Sequence, residues 1–206
     1  MYFEKNHIYH IYNQGNNRQK IFFSKNNYLF FLKKIKMYIA PYSDILAWCL
    51  MPNHFHLMVL VNEVSFPESS LGVSLRHVET DKRYNKTEKS FNASIGIMLM
   101  GYTKALNKQQ KRTGKLFREK TKAECLNYIN GITPSFYNTK YKTQIQVDNH
   151  EFQYPQVCFN YIHQNPVKAG LVKTETAWEF SSAQDYAGLR NGTLVNKIEA
   201  RKYIVF

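Results

Sequence analysis

Two histidines stand one residue apart in LAWCLMPNHFHLMVLV, residues 46–61, a run that is otherwise apolar except for a Pro-Asn break. Side chains of an extended strand alternate faces, so His54 and His56 share one side while Phe55 points to the other. Two imidazoles on one face suit a metal ion, and at the start of a strand they lie near a sheet end that a ligand can reach. The pair is equally consistent with two histidines satisfied by hydrogen bonds on a half-polar face, and two ligands leave a metal site incomplete. The other chemistry-bearing segment is YPQVCFNYIHQNPVKAGLV, residues 154–172. Pro155 suits the first turn of a helix, and Pro166 disfavours helical geometry at Asn165, which predicts a helix ending about Gln164. Tyr161 and Asn165 are then i, i+4 neighbours, a potential nucleophile and a potential oxygen ligand delivered by one helix. His163 is predicted to face away from Tyr161. Tyrosine is abundant, with 15 copies, and most belong in a core or an interface, so spacing alone does not single out Tyr161.

The elements that must position these residues follow from periodicity. HIYHIYN, residues 7–13, alternates and is closed by Gln14-Gly15-Asn16, as in a strand running into a turn. From Ser24, an N-cap residue type, Tyr28, Phe31, Leu32, Ile35 and Ile39 recur at helical spacing until Pro41. Two apolar runs, Ile45 to Leu50 and Phe55 to Val61, are separated by Met-Pro-Asn and predict an antiparallel hairpin. Ile95, Met98, Leu99, Tyr102 and Leu106 mark a second amphipathic helix ahead of Gly114, and a last strand is expected near Lys115 to Lys120. This order predicts an α+β fold: a split βαβ, ferredoxin-like sandwich with an antiparallel sheet and helices mainly on one face. The expected organisation is one catalytic domain over residues 1–190, interrupted by polar insertions at about 63–92 and 131–151, with 191–206 as a C-terminal tail.

Charge narrows the partner. The chain carries 28 Lys and Arg against 15 Asp and Glu, a net +13, with a pI of about 9.6. Such a balance favours a polyanion, most often nucleic acid, because Lys and Arg displace the counterions of its phosphates. No apolar run approaches the ~18 residues of a membrane span, and MYFEKNHIYH lacks the layout of a signal peptide, so a soluble, cytoplasmic protein is expected. Cys49, Cys125 and Cys158 are odd in number and widely spaced, as small core residues rather than a disulfide framework or a zinc knuckle. Two basic groups are candidates for DNA contact: Asn16, Asn17, Arg18 and Lys20 after the first strand, and Lys104, Lys108, Arg112, Lys115 and Arg118 from the second helix onward. Tyr9, Tyr12, Phe22 and Phe117 nearby suit either base stacking or the core.

The segments YHIYNQGNNRQKIF, LAWCLMPNHFHLMV, SIGIMLMGYTKALNK, GKLFREK, YIHQNPVKAGLV and WEFSSAQDYAG resemble the successive motifs of the single-tyrosine HUH transposases. The REP-associated tyrosine transposases are the nearest branch. The resemblance implies that His54 and His56 bind a divalent cation, that Asn165 completes the metal site, and that Tyr161 is the nucleophile. Phosphate chemistry and the family favour Mg2+ or Mn2+, although imidazoles alone would suit zinc, copper or nickel. The implied substrate is single-stranded DNA beside a hairpin, cut through a covalent 5'-phosphotyrosine that leaves a free 3'-hydroxyl for strand transfer. The family contains monomers and homodimers. A DNA-binding protein without catalysis and a nuclease using metal-activated water remain the alternatives at this level.

Overall fold

The computed structural model describes residues 1–67, 88–127, 136–138, 143–145 and 150–206. Strand β1 (Ile8–Gln14) leads through a 3-10 turn (Asn16–Arg18) into helix α1 (Lys25–Tyr38) and the hairpin β2 (Ser43–Met51) and β3 (His54–Val61). Then come β4 (Ser65–Pro67), β5 (Glu88–Ser90), α2 (Phe91–Gln109), β6 (Lys122–Cys125), β7 (Phe136–Asn138), β8 (Thr143–Ile145), α3 (His150–Lys168), α4 (Ala183–Tyr186) and α5 (Lys197–Ala200). Local chemistry sets the helix starts. Asn27 Oδ1 accepts from the amides of Phe23 and Ser24 at 2.9 and 3.1 Å, and Ser90 Oγ accepts from Ala93 N at 3.2 Å.

The main sheet has the order β2-β3-β1-β6, and its three pairings are antiparallel. With α1 between β1 and β2 and α2 between β3 and β6, this is the ferredoxin-like split βαβ sandwich expected from the sequence. Strand alternation sorts the side chains into two cores. Tyr9, Ile11, Phe55, Leu57, Val59 and Val61 pack against Phe31 and Ile35 of α1 and Ile95, Met98 and Tyr102 of α2. Ile8, Met58 and Leu60 face the other way, onto Cys158, Phe159 and Ile162 of α3. Full burial of a side chain such as Ile162 is worth roughly 1.5–3 kcal/mol, enough for a few residues to hold α3 on the sheet. His10, Tyr12, His54 and His56 continue this second set along the strands, so the face under α3 is apolar at one end and polar at the other.

Helix α3 differs from the expectation at both ends. It begins before Pro155 and runs past Gln164 to Lys168 with both prolines inside. The bias against helix before a proline is a preference that packing overrides, and Pro166 is buried. Ala169 N continues the ladder to Asn165 O at 3.0 Å; Gly170, at φ 69°, then closes the helix. Gly170 N donates to Val167 O at 2.9 Å and Leu171 N to Pro166 O at 3.0 Å, a Schellman cap. The last strand of the sheet also moves: it is Lys122–Cys125, not 115–120. Its side chains alternate between exposed and half-buried, an edge strand without an apolar run to reveal it. Residues 115–120 instead cross the sheet end, where Gly15 bridges to Phe117 and Arg118 N donates to Gln14 O at 2.8 Å.

Most of the two expected insertions lies outside the described residues; at their described edges, β4 pairs with β5 and β7 with β8. Residues 191–206 supply Val195, Ala200 and Ile204 to the cores. The cysteines are free thiols, with Cys49 and Cys158 buried. No helix among the described residues is long and apolar enough to cross a membrane.

Candidate active site

The structure brings His54, His56, Tyr161 and Asn165 together at the polar end of the α3 face. Strand β3 presents both histidines on that face, and α3 lays Tyr161 and Asn165 across them. Asn165 lies between the rings: its Oδ1 is 3.3 Å from His54 Nε2 and its Nδ2 donates to His56 Nε2 at 3.2 Å. The Tyr161 ring meets the edge of His56 with centroids 5.4 Å apart, and Tyr161 is 41% exposed, so its hydroxyl is open to a substrate. His163 points to the opposite side of the helix, where Nε2 bonds Ser182 Oγ at 2.7 Å.

The proton positions make this cluster a donor set. His54 Nδ1 gives its hydrogen to Asn53 Oδ1 at 2.6 Å, while Asn53 Nδ2 faces the Arg18 carbonyl at 3.4 Å. His54 Nε2 is then a lone pair looking at the Asn165 oxygen, two acceptors that a cation between them would satisfy. Burial pushes the His54 pKa down, partly offset by Asn165, and holds His56 well below the usual histidine range, with His10 and His54 adding to the effect. A neutral imidazole with its Nε2 lone pair turned to the site is the ligand form, and the His56 lone pair is here held by the Asn165 Nδ2 hydrogen, which a cation would displace. Among the described residues no three His, Cys, Asp or Glu side chains gather into a metal site; the oxygen beside the histidine pair is Asn165 Oδ1. Two imidazoles and an amide oxygen fit a borderline or hard divalent cation rather than a thiophilic one.

From the sequence, His10 and Lys168 had no role and Tyr12 only that of a base-stacking or core residue. His10 and Tyr12 reach the site from β1, with Tyr12 directly opposite His56 in the register, and Lys168 Nζ stands 5.6 Å from the Tyr161 ring centroid. The alternation HIYHIYN places His10 and Tyr12 on one face, but only the β1–β3 register shows that it is the face of His54 and His56. Tyr12 donates to Glu124 Oε1 at 2.6 Å and stacks on His10.

The two basic groups meet at this end of the sheet. Gly15 N donates to Asn53 O at 2.8 Å and Asn16 N to Leu116 O at 2.8 Å, so the turn of Asn16, Asn17 and Arg18 is wedged between the β2–β3 turn and the loop after α2. Arg112 reaches Gln19 Oε1 at 2.7 Å, which joins the loop carrying Lys115 and Arg118 to the same turn. A Cβ on Gly15 would collide with the Gln19 carbonyl oxygen, so the turn needs glycine there. Lys20, Lys104 and Lys108 are exposed, the last two on α2. Lys115 pairs with Glu119 at 3.6 Å, an exposed contact of little energetic weight. Tyr9, Phe22 and Phe117 are core residues, which leaves Tyr12 as the member of that aromatic group lying at the site.

The fold and site define an α+β sandwich with a tyrosine poised over a paired-histidine strand. Among solved structures, that of a REP-associated tyrosine transposase bound to a REP hairpin matches with a TM-score of 0.54 at 17% identity, covering 95% of this chain and 94% of that one. At such identity the likeness is one of fold, and it runs through nearly the whole of both chains. No family model matches the sequence, and no curated protein matches it.

Proposed function

We propose that this protein is a metal-dependent transposase-type enzyme that nicks and rejoins single-stranded DNA beside a hairpin, with Tyr161 as nucleophile. The observation that carries the reading is the convergence of His54 Nε2, His56 Nε2 and Asn165 under an exposed Tyr161. The shared fold with a hairpin-bound transposase and the net charge of +13 support DNA as substrate.

His54, His56 and Asn165 would hold Mg2+ or Mn2+, which supplies Lewis-acid polarisation of the scissile phosphate. Tyr161 Oη attacks phosphorus, the bond to the 3'-oxygen breaks, and the phenol proton is lost as the leaving oxygen gains one. The product is a 5'-phosphotyrosine and a free 3'-hydroxyl. Because the phosphodiester energy is kept in the new bond, a 3'-hydroxyl can reverse the attack and join strands without ATP. Lys168, beside the Tyr161 ring, contributes positive charge where the phosphate must sit. The turn of Asn16, Asn17 and Arg18, with Arg112, Lys115 and Arg118, guides the DNA backbone to this end of the sheet. The catalytic domain extends beyond residue 190, because Val195, Ala200 and Ile204 complete its cores.

The test is incubation with Mn2+ and labelled single-stranded hairpin DNAs, resolved on denaturing gels. A protein-linked DNA band that requires metal and vanishes in Tyr161→Phe is the expected result. Equal cutting by Tyr161→Phe would sink the nucleophile assignment in favour of activated water, and binding without cutting across the panel would favour a DNA-binding role.

A further inference from the structure

We infer that His10 is a positioning residue that fixes the tautomer and ring orientation of His56. It deepens the reading above and rests on it for its functional meaning. His10 Nε2 lies 2.9 Å from His56 Nδ1, and the two rings meet edge to edge, with centroids 5.0 Å apart and planes at 22°, as an in-plane N–H···N bond requires. Both are buried, at 7% and 4% exposure, so water does not replace the contact. Each neutral imidazole has one hydrogen to give. His56 Nε2 accepts from Asn165 Nδ2, so the His56 hydrogen is on Nδ1 and His10 Nε2 is its acceptor. The opposite assignment would put hydrogen on His56 Nε2 and close the nitrogen that faces the site.

His10 is itself held. Tyr12 stacks on it at 4.7 Å and also lies 5.8 Å from His56, and the Tyr12 hydroxyl is tied to Glu124 of β6 at 2.6 Å. The Tyr161 ring stands nearly perpendicular to it with centroids 6.1 Å apart, so the same imidazole borders both the ligand and the nucleophile. His10 thus does for His56 what Asn53 does for His54: each takes the Nδ1 hydrogen and leaves Nε2 turned toward Asn165. Outer partners of this kind typically change metal affinity by about 10–100-fold when removed.

Two variants separate this role from packing. His10→Phe keeps a flat ring against Tyr12 and removes the acceptor, whereas His10→Gln keeps an acceptor oxygen. The measurements are Mn2+ affinity by titration calorimetry, imidazole nitrogen shifts of His56 by NMR in metal-free protein, and single-turnover cutting across Mn2+ concentrations, with circular dichroism to verify folding. In the unsubstituted protein His56 shows a single form with hydrogen on Nδ1. In His10→Phe that form becomes a mixture, Mn2+ binds about 10–100-fold more weakly, and cutting recovers at saturating Mn2+; His10→Gln restores most of each. An unchanged tautomer and affinity in folded His10→Phe overturns the assignment. Failure of the unsubstituted protein to bind Mn2+ overturns the metal reading instead, and the nitrogen shifts then decide the His10 role by themselves.

Discussion

Ser182 ties the helix that carries Tyr161 to the sheet that carries the histidines, and Ser182→Ala measures how much that tie matters. Its Oγ accepts from Trp48 N of β2 at 2.9 Å and bonds His163 Nε2 of α3 at 2.7 Å, with Ser182 fully buried and His163 3% exposed. Removing the oxygen leaves two buried groups without a partner, while Trp48 O keeps the bond from Ser182 N at 2.9 Å. At about 1–3 kcal/mol for each abandoned group, partly relieved by small shifts, the expected loss is about 2–4 kcal/mol. A typical domain has about 5–15 kcal/mol in total, so this is a large share. Urea unfolding followed by circular dichroism should show a lower midpoint at unchanged slope. His163→Phe combined with Ser182→Ala should cost less than the sum of the single changes by about 0.5–3 kcal/mol, because the two share one bond. Tyr161 lies two residues before His163, so adduct formation assayed where both proteins are folded should slow by roughly tenfold or more. A loss below about 0.5 kcal/mol, against the cost expected of unpaired buried groups, or additivity within error, would refute the tie.

Two further outcomes test the frame around the site. Gly170→Ala should destabilise by about 1 kcal/mol through backbone strain alone, because Gly170 sits at φ 69° and a Cβ there meets only open space; thermal melting of Gly170→Ala beside Gly170→Asn, which should lose less, checks this. Asp185→Ala should cost about 3 kcal/mol, the lower end for a broken buried pair, since Asp185 is buried but Arg190 is partly exposed. Asp185 holds Arg190 through two 2.8 Å bonds and accepts from Gly192 N at 2.9 Å. Urea unfolding reports the loss, and a cost under 1 kcal/mol, well short of that expected for a broken buried pair, would mean that Arg190 finds other partners.

The elements with strong internal periodicity are legible in the residues themselves. The period-two runs around Ile8 and Phe55 and the helical spacing from Tyr28 to Ile39 require only a chain's own geometry, and they suffice for the sandwich and for the shared face of His54 and His56. The i, i+4 spacing of Tyr161 and Asn165 is likewise local. Where neighbours distant in sequence compete with a local preference, the residues are silent or misleading. Pro166 argues for a helix end that buried packing and the Gly170 cap override, and β6 has no apolar alternation because it lies at the sheet edge.

The reactive groups and the strands and helices that present them can be read from the residues, since those depend on contacts within a few positions. Three-dimensional packing alone reveals that α3 lies across β3, that the turn after β1 meets the loop after α2, and that His10 stands behind His56. Those facts depend on strand register and on packing between residues 109 or 134 positions apart, such as His56 with Asn165 and Trp48 with Ser182, which no local pattern encodes.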